Sequence, residues 1–357
     1  MSAPGPALPS RRPTSAPPGA AFGLAAAALF GASTPFAKLL VPGTGPLILA
    51  GLLYLGAGLG LLAAAPFRRS DAETPIHKSD LPVLASVIVA GGVIGPLLLV
   101  LGLARLSGAA AALLLNLEAP FTVALAVVML GERLSRREAL GVATVILGAA
   151  ALTWAPGAVR VDLTGFACIA GACTAWALDN NLSQRLSIRD PVAVARAKAL
   201  AAGVFNVALG IIIGERFPSA AHIVGALATG SLGYGLSIVL HLLAVRSLGA
   251  ARQAAYFATA PFIGAFVAIP LLHDRLPPAA LAAGALMAVG IAVIVRAHHA
   301  HAHVHEPEQH EHAHVHDEHH AHAHQEAAVE PHSHVHRHAP LFHDHPHLPD
   351  VHHRHGH

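Results

Sequence analysis

The stretch from Gly108 to Gly131, GAAAALLLNLEAPFTVALAVVMLG, holds a single charged residue among its 24. An α-helix rises 1.5 Å per residue, so about 20 apolar residues cross the ~30 Å hydrocarbon core of a bilayer. The whole chain has the same character, since 54% of its residues are hydrophobic and only 12% are charged. Soluble domains carry about a quarter charged residues. The sequence therefore predicts a polytopic membrane protein.

Prolines, glycines and charged clusters divide the apolar region into ten candidate helices. Each candidate is about long enough to cross a membrane. We predict an all-α fold with ten transmembrane helices, spanning residues 20–41, 46–66, 80–104, 108–131, 136–155, 164–184, 192–214, 221–245, 249–272 and 277–296.

The two halves of this region repeat each other in order. At a spacing of 141 residues, Ala119-Pro-Phe121 matches Ala260-Pro-Phe262 and residues 103–110 match 244–251; one inserted residue later, Glu132-Arg-Leu134 matches Asp274-Arg-Leu276. We divide the region into repeats at 20–155 and 156–296, each with five helices. Because five is odd, the second repeat enters the membrane from the opposite side, as in many secondary transporters.

The cationic residues favour one orientation of the chain. If the N-terminus is cytoplasmic, fifteen Lys and Arg residues, Lys198 among them, fall in segments at the cytoplasmic side. The outer side then holds five, namely Lys38, Arg105, Arg160, Arg216 and Arg275. This is the positive-inside bias. It predicts that both termini are cytoplasmic, in what we take to be a bacterial inner membrane.

The two termini differ from the apolar region in composition. Residues 1–19 are rich in Pro, Ser and Ala, and we expect them to be disordered. Residues 297–357 hold 24 of the 28 histidines, largely in His-x-His units. We expect this tail to be disordered as well and to bind several exchangeable metal ions.

Neutral imidazole binds Zn, Ni, Co and Cu ions, so the tail histidines are candidate ligands. They include His298, His299, His301, His303, His305, His310, His312, His314, His316, His319, His320, His322 and His324. The tail would deliver metal to the pore, regulate transport of another solute, or only buffer metal. Protonation of the histidines below about pH 6.5 would also give a response to pH.

Three motifs carry a family resemblance. Pro120 is followed by LGERLSRREALGVATVILGAAAL (Leu130–Leu152), LLHDRLPPAALAAGALMAVGIAVIV (Leu271–Val295) is a weaker copy, and Lys38 closes the first helix. The sequence thereby resembles the EamA-type branch of the drug/metabolite transporter superfamily over about residues 20–296. The resemblance implies two five-helix repeats and export or exchange of amino acids, other metabolites or drugs, in some members driven by the proton gradient. His273 stands where the first repeat has Gly131, and the tail is no part of the family pattern.

Glu118 is the leading candidate for the transport site. An ionised carboxylate in the middle of a membrane helix costs roughly 2.5 to 3.5 kcal/mol on insertion scales, so such a residue usually faces a cavity or a partner. Glu118 would bind a cationic group of the substrate or exchange a proton, which would couple transport to protons. The alternative is a protonated carboxyl bonded to a neighbouring helix.

Other polar residues within the helices are candidates for the substrate pathway. They are Asn116, Asp179, Asn180, Tyr234, His241, Tyr256 and Lys38, together with Thr259, the counterpart of Glu118 in the second repeat. For each, an interhelical hydrogen bond is the competing interpretation. For Lys38 the competitor is a side chain that reaches the interface. Pro120 and Pro261 are candidate helix kinks, each of which would free a carbonyl group.

Other classes of function find no support in the sequence. Cys168 and Cys173 are five residues apart in one apolar run, so we expect small core residues rather than a disulfide. No catalytic motif and no basic nucleic-acid patch occurs, and transport would need no cofactor. We predict an exporter of a small organic metabolite with a metal-binding tail. A Ni, Co or Zn efflux transporter fed by the tail, and a membrane-anchored metal buffer or sensor that transports nothing, are the alternatives.

Overall fold

The computed structural model describes residues 18–65, 74–130, 134–154, 162–186, 189–248, 250–296, 300–305, 309–314, 332–337 and 341–346. Residues 1–17, most of the segment that we expected to be disordered, lie outside these ranges.

The first half of the described chain is helical. Its helices are α1 (Pro18–Leu40), α2 (Pro46–Ala64), α3 (Leu81–Val87), α4 (Gly95–Arg105), α5 (Gly108–Leu114), α6 (Glu118–Leu130) and α7 (Arg136–Trp154). The second half continues with α8 (Leu163–Ser183), α9 (Pro191–Ile212), α10 (Ala220–Gly230), α11 (Ser237–Leu248), α12 (Ala250–Phe257), α13 (Ala260–Leu272) and α14 (Pro278–Arg296).

Eight helical segments of the described residues are long and apolar enough to cross a membrane. They are Gly19–Leu40, Pro46–Ala64, Lys78–Arg105, Gly108–Met129, Pro191–Ile212, Ala220–Val245, Gln253–Leu272 and Pro278–Arg296. Helices α7 and α8 are not among them. Helix α7 begins with Arg136, Arg137 and Glu138, and α8 carries the polar run Asp179–Asn181 before its end at Ser183. Eight of the ten predicted spans thus meet this test.

Four of the predicted spans, two in each half, are interrupted by a change in helical geometry. A π-helical segment, Ile88–Ile94, joins α3 to α4, and another, Ser231–Leu236, joins α10 to α11. A 3-10 turn, Leu115–Leu117, lies between α5 and α6, and the chain likewise leaves α-helical geometry between α12 and α13. We had predicted each of these four as one continuous helix.

Helices of one half pack mainly against helices of the other. Helix α1 contacts α11 and α13, α2 contacts α9, α4 contacts α8, and α7 contacts α14. The pairs α2 with α9 and α7 with α14 each join a helix to its own counterpart in the other half. A pseudo-twofold axis between the halves produces this pattern.

Glycines allow these paired helices to approach closely. A methyl group on Gly51 of α2 would lie 2.9 Å from the Gly203 carbonyl oxygen of α9, and one on Gly203 would lie 3.0 Å from the Gly51 carbonyl oxygen. Gly141 of α7 and Gly290 of α14 oppose each other in the same way, at 2.9 and 2.8 Å. Small residues at helix contacts are typical of membrane bundles.

Acidic side chains close several helix ends. Glu215 accepts hydrogen bonds from the backbone N–H groups of Leu47 and Ile48 at the start of α2. Asp274 accepts one from the Ala109 N–H at the start of α5, at 2.8 Å. Asp162 forms an exposed ion pair with Arg105, at 3.0 Å. The hydrogen bond from Arg105 holds the pKa of the Asp162 carboxyl below its usual value.

The histidine-rich tail contains four short strands, β1 (Ala300–His305), β2 (Gln309–His314), β3 (His332–Arg337) and β4 (Leu341–Pro346). Strand β1 pairs with β4 and β2 with β3, both antiparallel. We had predicted disorder throughout residues 297–357, and these strands differ from that expectation. The alternating His-x-His pattern has the period of two that an extended strand requires.

Candidate functional site

Glu118 meets a polar partner where the α5–α6 helix is interrupted. It is half-buried, and its Oε1 atom accepts a hydrogen bond of 2.8 Å from the Asn180 side chain of α8. This contact joins two of the residues predicted for the pathway. Glu118 also interacts electrostatically with Asp179 and Lys198, so it belongs to a larger charged group.

Asp179 and Lys198 form an ion pair between α8 and α9. The Asp179 side chain is 6% exposed and that of Lys198 is 20% exposed. Ser183 donates a second hydrogen bond to Asp179, at 3.2 Å. We had assigned Lys198 to the charges at the cytoplasmic side as part of the positive-inside bias. The structure places it two helical turns inside α9, against a carboxylate.

The π-helical segment Ile88–Ile94 packs against this pair. The Gly91 carbonyl oxygen accepts hydrogen bonds from the Tyr54 hydroxyl, at 2.6 Å, and from the Trp176 indole N–H, at 3.1 Å. A methyl group on Gly91 would lie 2.0 Å from Asp179 Oδ2, so only glycine leaves the carboxylate its place. Segments of π-helix occur frequently at functional sites.

Asn206 completes the group from α9. Its side chain is fully buried and donates a hydrogen bond of 3.2 Å to the Gly92 carbonyl oxygen. The Asn206 Oδ1 atom has no hydrogen-bond partner among the residues that the structure describes. The polar cluster, as we define it, consists of Tyr54, Glu118, Trp176, Asp179, Asn180, Lys198 and Asn206 with the Gly91 and Gly92 carbonyl groups.

The π-helical segment of the second half has different surroundings. Its Gly233 packs against Ser33 of α1, where a methyl group would lie 2.4 Å from Ser33 Cβ. Its Tyr234 ring contacts Phe30 edge-on, with 5.6 Å between centroids, and lies 6.0 Å from the Tyr54 ring. Charged and amide groups therefore lie beside the π-helical segment of the first half, whereas aromatic and hydroxyl groups lie beside that of the second half.

Two candidates hydrogen-bond within their own helical segment. Asn116 is buried and donates to the Leu113 carbonyl oxygen, at 2.8 Å. Thr259 donates to the Tyr256 carbonyl oxygen, at 2.6 Å. Neither forms a side-chain hydrogen bond to the polar cluster within the described residues. Thr259 therefore does not repeat the interhelical contact of its counterpart Glu118.

Lys38 lies apart from the polar cluster. Its ammonium group donates to the Leu103 carbonyl oxygen, and it interacts electrostatically with Asp274. Both partners are near the end of the bundle that we predict to be the outer one. Lys38 thus connects α1 to the ends of α4 and α13.

His241 pairs with a residue that the sequence did not single out. Its Nδ1 atom is 3.1 Å from Gln253 Nε2, and its ring contacts Phe257 edge-on. Gln253 is fully buried between the helices. The described contacts place His241 in this separate group, near the start of the ninth predicted span.

Pro120 and Pro261 lie at helix starts rather than within continuous helices. Pro120 is the third residue of α6, and Pro261 is the second residue of α13, where the missing N–H costs little. Cys173 points its thiol at the carbonyl oxygens of Leu114 and Leu115, at 3.7 and 3.8 Å, beside the first interruption. Both Cys173 and Cys168 are free thiols.

More than half of the candidate metal ligands named in the tail lie outside the residues that the structure describes. His298, His299, His316, His319, His320, His322 and His324 are outside the described residues, and the others are placed by backbone alone. Within the described part of the chain, no group of three or more His, Cys, Asp or Glu residues is arranged to hold a metal ion.

Comparisons with known proteins identify a family model, two relatives and a structure of similar fold. The model of the EamA-like transporter family matches residues 17–154 and again 163–296. A protein of Methanothermobacter thermautotrophicus described as an uncharacterized transporter is 26% identical over 294 residues, which cover 76% of this chain and 84% of that protein. A protein of Streptantibioticus cattleyicolor described as a probable terminal-alkyne amino-acid exporter is 29% identical over 248 residues, covering 68% and 84%. A solved crystal structure, 21% identical, superposes with a TM-score of 0.58 over 79% of this chain and 99% of its own, a likeness of fold.

Proposed function

Since the chain belongs to the EamA-like transporter family, we propose that it is a secondary transporter that exports a small organic metabolite such as an amino acid. Family membership and the eight apolar helices make it an integral membrane protein in contact with lipid and with a small-molecule substrate. The family and the named relatives are transporters, which confirms that the chain is not an enzyme.

The polar cluster is the observation that supports this proposal most directly. Two carboxylates and one ammonium group lie together inside an apolar bundle. Ionisable residues at membrane depth are costly and typically mark substrate or ion pathways. An amino acid carries both an ammonium and a carboxylate group, so it is complementary to such a site. The relative described as an amino-acid exporter supports the same substrate class.

We propose alternating access as the mechanism. The two halves would rock about the cluster as inverted repeats, with α7 and α8 completing ten spans and both termini in the cytoplasm. Glu118 would take up and release a proton or a cationic group during the cycle. The π-helical segment beside the cluster supports this scheme, because such segments occur frequently at functional sites.

We propose that the histidine tail binds divalent Zn, Ni, Co or Cu ions and regulates transport or buffers metal. The lack of a metal-ligand cluster within the described helices favours this role over metal as the transported substrate. A metal buffer without transport would need none of the cluster charges.

The first test is uptake into energised everted vesicles of labelled amino acids and of labelled nickel and zinc. It compares the intact chain, a chain ending at Ala297, and Glu118→Gln. We expect amino-acid uptake that survives truncation and falls to background in Glu118→Gln at normal membrane abundance. Glu138→Gln is the matched control, because Glu138 only caps the start of α7 through Ser135.

The other outcomes separate the alternatives. Metal accumulation that both changes reduce would make the protein a metal exporter fed by its tail. Unchanged amino-acid uptake in Glu118→Gln would remove Glu118 from the site. Absence of all uptake, with metal bound by the intact tail, would favour a buffer.

A further inference from the structure

The Asp179–Lys198 ion pair is unusual in its position. It joins α8 to α9 beside a π-helical segment and is not at a helix end, unlike the Asp80–Arg189 pair, which joins the start of α3 to the segment before α9. A buried ion pair gains little stability over an apolar pair of the same volume. Packing of the bundle therefore does not account for these two charges.

Each member of the pair is held by further contacts. Asp179 accepts a hydrogen bond from Ser183 and rests against Gly91, and the Lys198 stem would lie 3.7 Å from a methyl group on Gly92. Lys198 is the more exposed partner, and the neighbouring Asn180 is exposed. The ammonium group can thus move away while the carboxylate keeps its position.

We infer that the Asp179–Lys198 pair is the recognition site for the head group of a zwitterionic amino acid. The substrate ammonium replaces Lys198 at Asp179, and the substrate carboxylate accepts the released Lys198 ammonium. The pair opens into two ion pairs with no uncompensated charge. This inference rests on the proposed function and gives that function its substrate class.

The charge arrangement selects against related solutes. A simple amine bound at Asp179 leaves Lys198 unpaired, and a simple carboxylate bound at Lys198 leaves Asp179 unpaired. An unpaired charge in an apolar site is strongly unfavourable. Only a solute with both charges on adjacent groups pairs with both residues. Its side chain would then contact the aromatic rings of Tyr54 and Tyr234.

Trp176 provides a readout next to the pair. Its indole donates to the Gly91 carbonyl oxygen, and Gly91 packs against Asp179. The chain has two tryptophans, so Trp154→Phe leaves Trp176 as the only one. Trp176 fluorescence of the purified full-length protein is then titrated with the standard and terminal-alkyne amino acids. Each amino acid that binds is compared with two analogues, the amine that lacks its carboxylate and the acid that lacks its ammonium group.

In the Trp154→Phe protein we expect amino acids to bind roughly tenfold or more tightly than the matched amine and acid. The Lys198→Met variant should bind the amine with at least the affinity that it has for the amino acid. The Asp179→Asn variant should bind the acid with at least the affinity that it has for the amino acid. The double variant leaves neither charge unpaired and should fold, yet lose the preference for the zwitterion. Asp80→Asn with Arg189→Met removes the other buried pair and should keep it.

Two results would overturn the inference. In the first, amino acids bind the wild type, but the Asp179 and Lys198 variants, including the double variant, keep its preference for the zwitterion or lose affinity for all three ligands equally. The pair is then not the head-group site, although the proposed export of amino acids stands. If no amino acid binds the folded wild-type site, both the inference and the proposed substrate class fail.

Discussion

Gly91 has no side chain beyond a hydrogen atom, and this leaves room for the carboxylate of Asp179. Its Cβ position is filled by Asp179, whose Oδ2, Cγ and Cβ atoms would all lie within 2.8 Å of an added methyl group. The whole carboxylate would have to move, since tightly packed interiors give little room. Position 91 thus controls where the charge of Asp179 lies.

We expect Gly91→Ala to reduce transport by about tenfold or more, because small displacements of a binding group are felt this strongly. Uptake into vesicles, normalised to membrane abundance, measures the effect. Gly284→Ala is the control, since its methyl group would meet only the Leu113 side chain, at 3.4 and 3.5 Å. Equal transport by the two variants would contradict the role given to Gly91.

Single residues differed in how well the sequence predicted their place. Glu118 was found because it is the only charge in a long apolar run, and Asn180, its partner, lies next to another acid. Lys198 was missed because it stands two residues after Arg196 in a segment that begins at a charged turn. Tyr54 and Trp176 were not predicted for the site, because an isolated polar group in a helix gives no sign of which neighbour it faces.

At the scale of elements, helix starts depend on residues far away in the chain. Glu215 follows α9, yet its carboxylate receives the Leu47 and Ile48 N–H groups of α2, at 3.2 and 3.1 Å. A carboxylate there also interacts favourably with the positive end of the helix dipole. The contact fixes the start of α2 to the end of α9, its main packing partner.

We expect Glu215→Ala to lower the free energy of unfolding by about 1 kcal/mol, as loss of a helix cap does. Glu215→Gln keeps an acceptor oxygen and should lose less. Unfolding of the purified protein in denaturing detergent gives both values. Equal stability of the Ala variant and the wild type would show that water replaces the carboxylate at no cost.

The predicted helix boundaries agree with the structure to within a few residues, but the interruptions were not foreseen. Apolar periodicity locates a span because burial affects every turn. A π-helical turn adds one residue to a turn, and the sequence pattern on both sides of Ile88–Ile94 remains apolar. Pro120 and Pro261 did mark the other pair of interruptions.

For the molecule as a whole, the number of spans decides which loops share a side. The ion pair of Asp162 with Arg105 brings the start of α8 to the end of α4. If α7 and α8 both cross the membrane, Asp162 lies on the outer side, opposite Arg137. If neither crosses, the two residues lie on the same side.

We expect a cysteine at position 162 to react with an impermeant maleimide only from the outer side, and a cysteine at 137 only from the cytoplasmic side. Both substitutions are made in a protein whose Cys168 and Cys173 are replaced by alanine. Right-side-out and everted vesicles provide the two directions. Labelling of both positions from one side would rule out ten spans.

The glycine contacts join the two halves through backbone atoms rather than through side chains. Gly51 faces Gly203 and Gly141 faces Gly290, and a methyl group at any of the four positions would lie within 3.0 Å of the opposite carbonyl oxygen. A backbone carbonyl cannot rotate away as the end of a long side chain can, so a larger residue at any of these positions would force the two paired helices apart. The spacing of the two halves thus depends on four positions that carry no side chain.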